Sequence, residues 1–184
     1  MVLDTRDRGA FLAGHLRGSL FTPPEKFSDF AGSYLRPDDA IVLVVADPAR
    51  SEDFVRQLVR LGFDGVAGVL PAAALAEAPS ALVAVIPAVT FAELPALLAR
   101  EPAAVLLDVR KATEFAAGHL RGARNLAHTR LRPRLKELPA DRPLVVSCAS
   151  GMRAAGACAF LARAGRRVPC VADKFEHAPR ELRA

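Results

Sequence analysis

One stretch of the chain joins a nucleophile to the means of stabilising its charge: Leu144-Val145-Val146-Ser147-Cys148-Ala149-Ser150-Gly151-Met152-Arg153. The apolar residues 144–146 read as a short strand that delivers Cys148 into a tight loop containing a glycine. Arg153 then opens an alanine-rich segment, 154–164, that reads as a helix. A thiol reacts as its thiolate, so it needs positive potential around the sulfur. Successive loop N–H groups can form a concave nest, and the helix N-terminus adds partial positive charge. The competing interpretation is a structural cysteine in a core, since free cysteines are among the most buried residues. The coincidence of strand, glycine loop and arginine five residues on favours the chemical one. Cys158 falls on the predicted helix and Cys170 on a predicted strand, so both are expected in the core. A resolving role for either stays open.

A second group lies upstream: Leu107-Asp108-Val109-Arg110, then Glu114-Phe115-Ala116-Ala117-Gly118-His119-Leu120-Arg121-Gly122-Ala123. Together with the loop 148–153 it resembles the rhodanese (sulfurtransferase) family. The resemblance implies an α/β chain and a sulfurtransferase that moves sulfane sulfur from thiosulfate, a polysulfide or a low-molecular-weight persulfide to a thiol or cyanide. Cys148 would be the catalytic nucleophile, and Ala149, Ser150, Gly151, Met152 and Arg153 would bind the small anionic donor, with no metal or organic cofactor. Two other activities compete. Phosphatases and arsenate reductases of this fold have a loop one residue longer, with the arginine six positions after the cysteine, where this chain has Ala154. A non-catalytic binding or regulatory module is the other.

The same pattern occurs earlier. Leu3-Asp4-Thr5-Arg6 and Phe11-Leu12-Ala13-Gly14-His15-Leu16-Arg17-Gly18-Ser19 repeat the upstream group, Ile41-Val42-Leu43-Val44-Val45 repeats the strand before Cys148, and Arg50 repeats Arg153. Two rhodanese-like domains are therefore expected, each a mostly parallel sheet flanked by helices: residues 1–75 without activity, a connector at 76–87, and 88–184 with Cys148. In the first copy, counting back from Arg50 sets Val45 opposite Cys148, whereas matching the strands sets Asp47 there. Neither is a nucleophile. His15 and His119, like the Asp4/Arg6 and Asp108/Arg110 pairs, occupy equivalent places in both copies, which favours structural roles, although Arg110 could lie near the site mouth. His128 and His177 have no partner at metal-ligand spacing.

The elements that must hold this loop alternate between strand and helix, as in a parallel sheet covered by helices. In the second copy a helix is expected over 90–100, capped by Thr90 with Glu93 three residues on. A strand at 105–107, a helix at 113–117, another at 131–138, a helix at 153–164 and a strand at 168–171 follow. Where the family usually follows its last strand with a Gly-Gly pair and a Trp, this chain has Ala172-Asp173-Lys174-Phe175-Glu176-His177.

With 52% hydrophobic residues, the 184-residue chain can build ample core. Three widely spaced cysteines argue against a disulfide framework and for a reducing compartment. No apolar run is long enough to span a bilayer and the N-terminus lacks a signal-peptide pattern, so a cytoplasmic protein without membrane contact is expected. The net charge of +5 is carried mostly by arginine, which suits small anions. One tyrosine, no tryptophan and no basic stripe argue against nucleic acid. Tandem rhodanese units of this kind also resemble the C-terminal part of fusions with a metallo-β-lactamase-fold persulfide dioxygenase. A fused or partner domain of that fold is therefore expected, and its His-x-His-x-Asp-His ligand run is absent from this sequence.

Overall fold

The computed structural model describes Met1–Ala184 and divides into two compact units, Met1–Val85 and Ile86–Ala184. The first contains β1 (Val2–Asp4), α1 (Arg8–Ala13), β2 (His15–Leu16), β3 (Leu20–Phe21), α2 (Phe27–Tyr34), β4 (Ile41–Val45), α3 (Ser51–Arg60), β5 (Val66–Pro71) and β6 (Val83–Ala84). Its sheet runs β3-β1-β4-β5 with every pairing parallel. β4 is a run of Val, Ile and Leu flanked by strands on both sides, the composition a strand needs when helices cover both faces of its sheet. Phe11, Phe21, Phe27, Phe30 and Phe54 fill the core around it.

The second unit contains β7 (Ala88–Val89), α4 (Leu94–Arg100), β8 (Val105–Asp108), α5 (Ala112–Ala116), β9 (Arg124–Asn125), α6 (Leu131–Arg134), β10 (Leu144–Ser147), α7 (Met152–Arg163) and β11 (Cys170–Val171). Its parallel sheet runs β7-β11-β10-β8-β9, the order of the first unit with β7 added at one edge. All four residues of β10 are buried, as its central place requires. The small residues Ala154, Ala155, Ala157 and Ala159 of α7 are buried too, with Cys158 and Leu161 beside them.

Several boundaries differ from expectation, for local reasons. Thr90 and Glu93 do bond reciprocally: Thr90 N and Oγ1 donate to Glu93 Oε2 at 2.8 and 2.9 Å, and Glu93 N donates to Thr90 Oγ1 at 3.3 Å. The helix nonetheless begins only at Leu94, which places Pro95 in the first turn, where its missing N–H costs nothing. The helix expected over 131–138 is α6 followed by a tighter 3₁₀ turn, Leu135–Glu137. The segment expected as a connector, 76–87, with 81–86 able to pack as a strand, lies largely in the first unit, because β6 within it pairs antiparallel with β2. Strand β7 was not foreseen; a two-residue strand leaves no periodicity to read.

Candidate active site

β10 ends at Ser147, so Cys148 stands at the carboxyl end of the central strand, where ligands bind in open parallel sheets. The chain must then turn sharply into α7. Gly151 provides the turn in the left-handed region, with φ 79°, and serves as the N-cap of α7. The turn brings the buried Cys148 sulfur onto the first turn of the helix: Ala154 N donates to Sγ at 3.3 Å. A helix-terminal amide aimed at the sulfur is the arrangement that stabilises a thiolate. Ala149 is half-buried and Ser150 exposed, while Met152 and Arg153 are half-buried. Of the residues singled out from the sequence as binding the donor, Ala149, Ser150 and Gly151 thus form the loop, and Met152 and Arg153 begin α7.

Arg153 is held by a residue the sequence reading had not assigned to the site. Its Nη1 donates to Glu114 Oε2 at 2.7 Å and its Nη2 to Oε1 at 2.8 Å, a bidentate fork onto α5. The Arg153 guanidinium pulls the Glu114 carboxyl down to about 2, against the opposing effect of burial, with the Lys111 backbone N–H and the Arg153 and Arg110 charges also lowering it. In turn Glu114 raises Arg153, helped by the charges of Cys148 and Asp108. Two of the Arg153 donors are thus engaged by Glu114, because a partly desolvated guanidinium beside a carboxylate forms the pair. Glu114 could have been found as the acidic residue of the Glu114–Ala123 stretch that the first copy lacks. Nothing local, however, links it to a partner 39 positions away.

The Asp108/Arg110 pair ties the strand end to the turn before His119. Arg110 Nε donates to Asp108 Oδ1 and Oδ2 at 3.0 and 2.9 Å, and Nη2 donates to Oδ2 and to Gly118 O at 2.6 Å each. Its guanidinium lies 4.2 Å from the centre of the Phe175 ring. Asn125 Nδ2 ties the same strand end through Asp108 O and Arg110 O. His119 Nδ1 bonds Phe115 O at 3.0 Å and its ring stacks on Phe115, a turn role.

The departure from the family pattern after the last strand reaches the loop itself. Phe175 N donates to Ala149 O at 2.9 Å. Asp173 anchors this segment by accepting from Phe91 N, Lys174 N and His177 Nδ1. Cys158 and Cys170 are fully buried, and burial, with a hydrogen bond to Cys170, raises the Cys158 thiol well above its usual value. That environment suppresses its thiolate, unlike that of a reactive cysteine.

The second unit is similar to known proteins. Residues 90–175 match the model of the Rhodanese-like domain family. The thiosulfate sulfurtransferase GlpE of Ectopseudomonas mendocina is 38% identical over 66 residues, 36% of this chain and 61% of that protein. An uncharacterized protein, YqhL, of Bacillus subtilis is 37% identical over 62 residues, 34% of this chain and 49% of that protein. The chain thus spans about half to three fifths of the length of these relatives. Among solved structures, a rhodanese-related protein of Thermoplasma volcanium aligns with 50% of this chain and 89% of its own at 28% identity and a TM-score of 0.46.

Proposed function

We propose that the second unit, which carries a rhodanese-like domain, is a sulfurtransferase working through a persulfide on Cys148. The observation that carries this reading is the Cys148 sulfur at the carboxyl end of the central strand, bonded by the first-turn amide Ala154 N. The Cys148 thiolate attacks the outer sulfur of a donor. With thiosulfate, a Cys148 S–S bond forms, the donor S–S bond breaks and sulfite leaves with the electron pair. Cyanide or a thiolate then attacks the outer sulfur, and the thiolate of Cys148 returns as the leaving group. The loop amides from Ala149 to Arg153 cradle the bound sulfur. Arg153, fixed by Glu114, supplies cationic charge at short range and orients an anionic donor.

The loop length supports this over phosphate chemistry, since the position six after Cys148 is Ala154 and its amide already faces the sulfur. The first unit, on this reading, is a rhodanese-like domain without a nucleophile. The test is to expose wild type and Cys148→Ala to a sulfane-sulfur donor and map added sulfur by peptide mass spectrometry. One labile sulfur on Cys148, absent from the variant, is expected. Sulfur confined to Cys158 or Cys170 would refute the assignment.

A further inference from the structure

A cavity of about 420 Å³ opens at the opposite end of the second sheet from Cys148, lined by Leu98, Glu101, Val105, Arg121, Arg124 and Arg142 among others. Arg142 precedes β10 and Val105 begins β8, so the cavity lies towards the amino end of these two strands, while Arg124, level with Leu107 of β8, lines it from the edge strand β9. None of its lining residues belongs to the loop 148–153. It therefore lies outside the sulfur-transfer site.

The charges around it do not cancel. Glu101, the acidic residue of the lining, is ion-paired with Arg167. Glu137, whose carboxylate feels Arg124, is held by a two-pronged pair with Arg134. Two of the lining guanidiniums are fixed through one nitrogen each: Arg121 Nε donates to Arg183 O at 2.7 Å and Arg142 Nε to Ala103 O at 2.6 Å. A guanidinium anchored at Nε loses less freedom when its terminal nitrogens take a ligand, and its planar fork matches phosphate oxygens. Leu98, Val105 and Leu106 add an apolar wall beside the three arginines. Concave shape, apolar wall and a few convergent polar groups characterise a small-molecule site, and the volume lies in the usual range.

We infer that this cavity is a binding site for a small organic phosphate, its diphosphate or paired phosphates held by Arg121, Arg124 and Arg142 and its organic part against Leu98, Val105 and Leu106. Three guanidiniums exceed what a monocarboxylate can use and suit an anion of two or more charges. The inference does not depend on the reaction at Cys148.

Inorganic pyrophosphate titrated calorimetrically into the full chain at low ionic strength tests it. Saturable binding tighter than about 1 mM is expected. Arg124→Gln and Arg142→Gln should each weaken it by about tenfold or more, with thiosulfate:cyanide activity unchanged. Cys148→Ser should bind pyrophosphate as wild type does. Arg124 has no backbone anchor to lose, so its variant reads ligand contact even if Arg142→Gln disturbs the fold. Absence of saturable binding, undiminished binding in Arg124→Gln, or loss of binding in Cys148→Ser would overturn the site. Equal affinity for citrate would overturn the phosphate assignment.

Discussion

The two units repeat each other's framework but differ at the position of Cys148. Arg6 grips Asp4 and Gly14 O in the first as Arg110 grips Asp108 and Gly118 O in the second, with 2.6 Å to the glycine carbonyl in both. His15 stacks on Phe11 and bonds its carbonyl, as His119 does with Phe115. Arg17 N donates to Leu82 O and Arg121 N to Leu182 O, closing each unit by the same antiparallel contact. The sheet register also decides between the two alignments of the first loop. Asp4 pairs with Val44 and Asp108 with Ser147, so Val45 stands where the second unit has Cys148.

At that place the units diverge. Counting from the phenylalanines, Ala10 replaces Glu114. Arg50, left without that carboxylate, lies 5.1 Å from the centre of the Phe54 ring. Asp47 turns its side chain onto Ala49 N, and Pro48 begins a 3₁₀ turn where it offers no N–H to a bound anion. The groups that secure strand ends and turns are thus separable from those around Cys148, and repetition marks the former.

Variants can break or sharpen this contrast. The largest effect belongs to Cys148→Ser, which should lower thiosulfate:cyanide turnover by about three orders of magnitude or more while leaving circular dichroism unchanged; retained turnover would remove the covalent route. Next, Asp108→Ala should cost about 3–5 kcal/mol in urea unfolding, because it strands a buried guanidinium. Asp4→Ala should cost less, since the Arg6 side chain is 14% exposed against 7% for Arg110. Equal costs would mean that burial does not set the difference.

Arg153→Ala should reduce kcat/KM for thiosulfate by about 1.5–3 kcal/mol, whereas Arg50→Ala should leave it unaltered. Glu114→Gln should cost about 1 kcal/mol, because the pair is partly open to solvent. The Glu114 carboxyl is depressed to about 2 when folded, so its contribution is complete above about 4.5 and fades as pH falls towards 2. The variant should lose that acid limb in urea midpoints measured against pH. The smallest effect is expected of Val45→Cys in the Cys148→Ser background, with no recovered turnover and no labile sulfur at position 45. Recovery would show that the first loop keeps a working cradle.

The sequence by itself determined the repeat, the alternation of strand and helix, and the loop that carries Cys148. Each of these is written within a few residues: an apolar run, a glycine able to take positive φ, an arginine at fixed spacing. It also marked His119 and the Asp108/Arg110 pair as structural, because the copy without a cysteine retains them. Only the tertiary structure decided that Glu114 holds Arg153, that Phe175 closes on Ala149 O, that β7 extends the second sheet, and that Val45 rather than Asp47 takes the place of Cys148 in the first unit. Those facts rest on pairings between distant segments, set by strand order and register. Local residue patterns encode which face of an element is buried but not which remote side chain will meet it there.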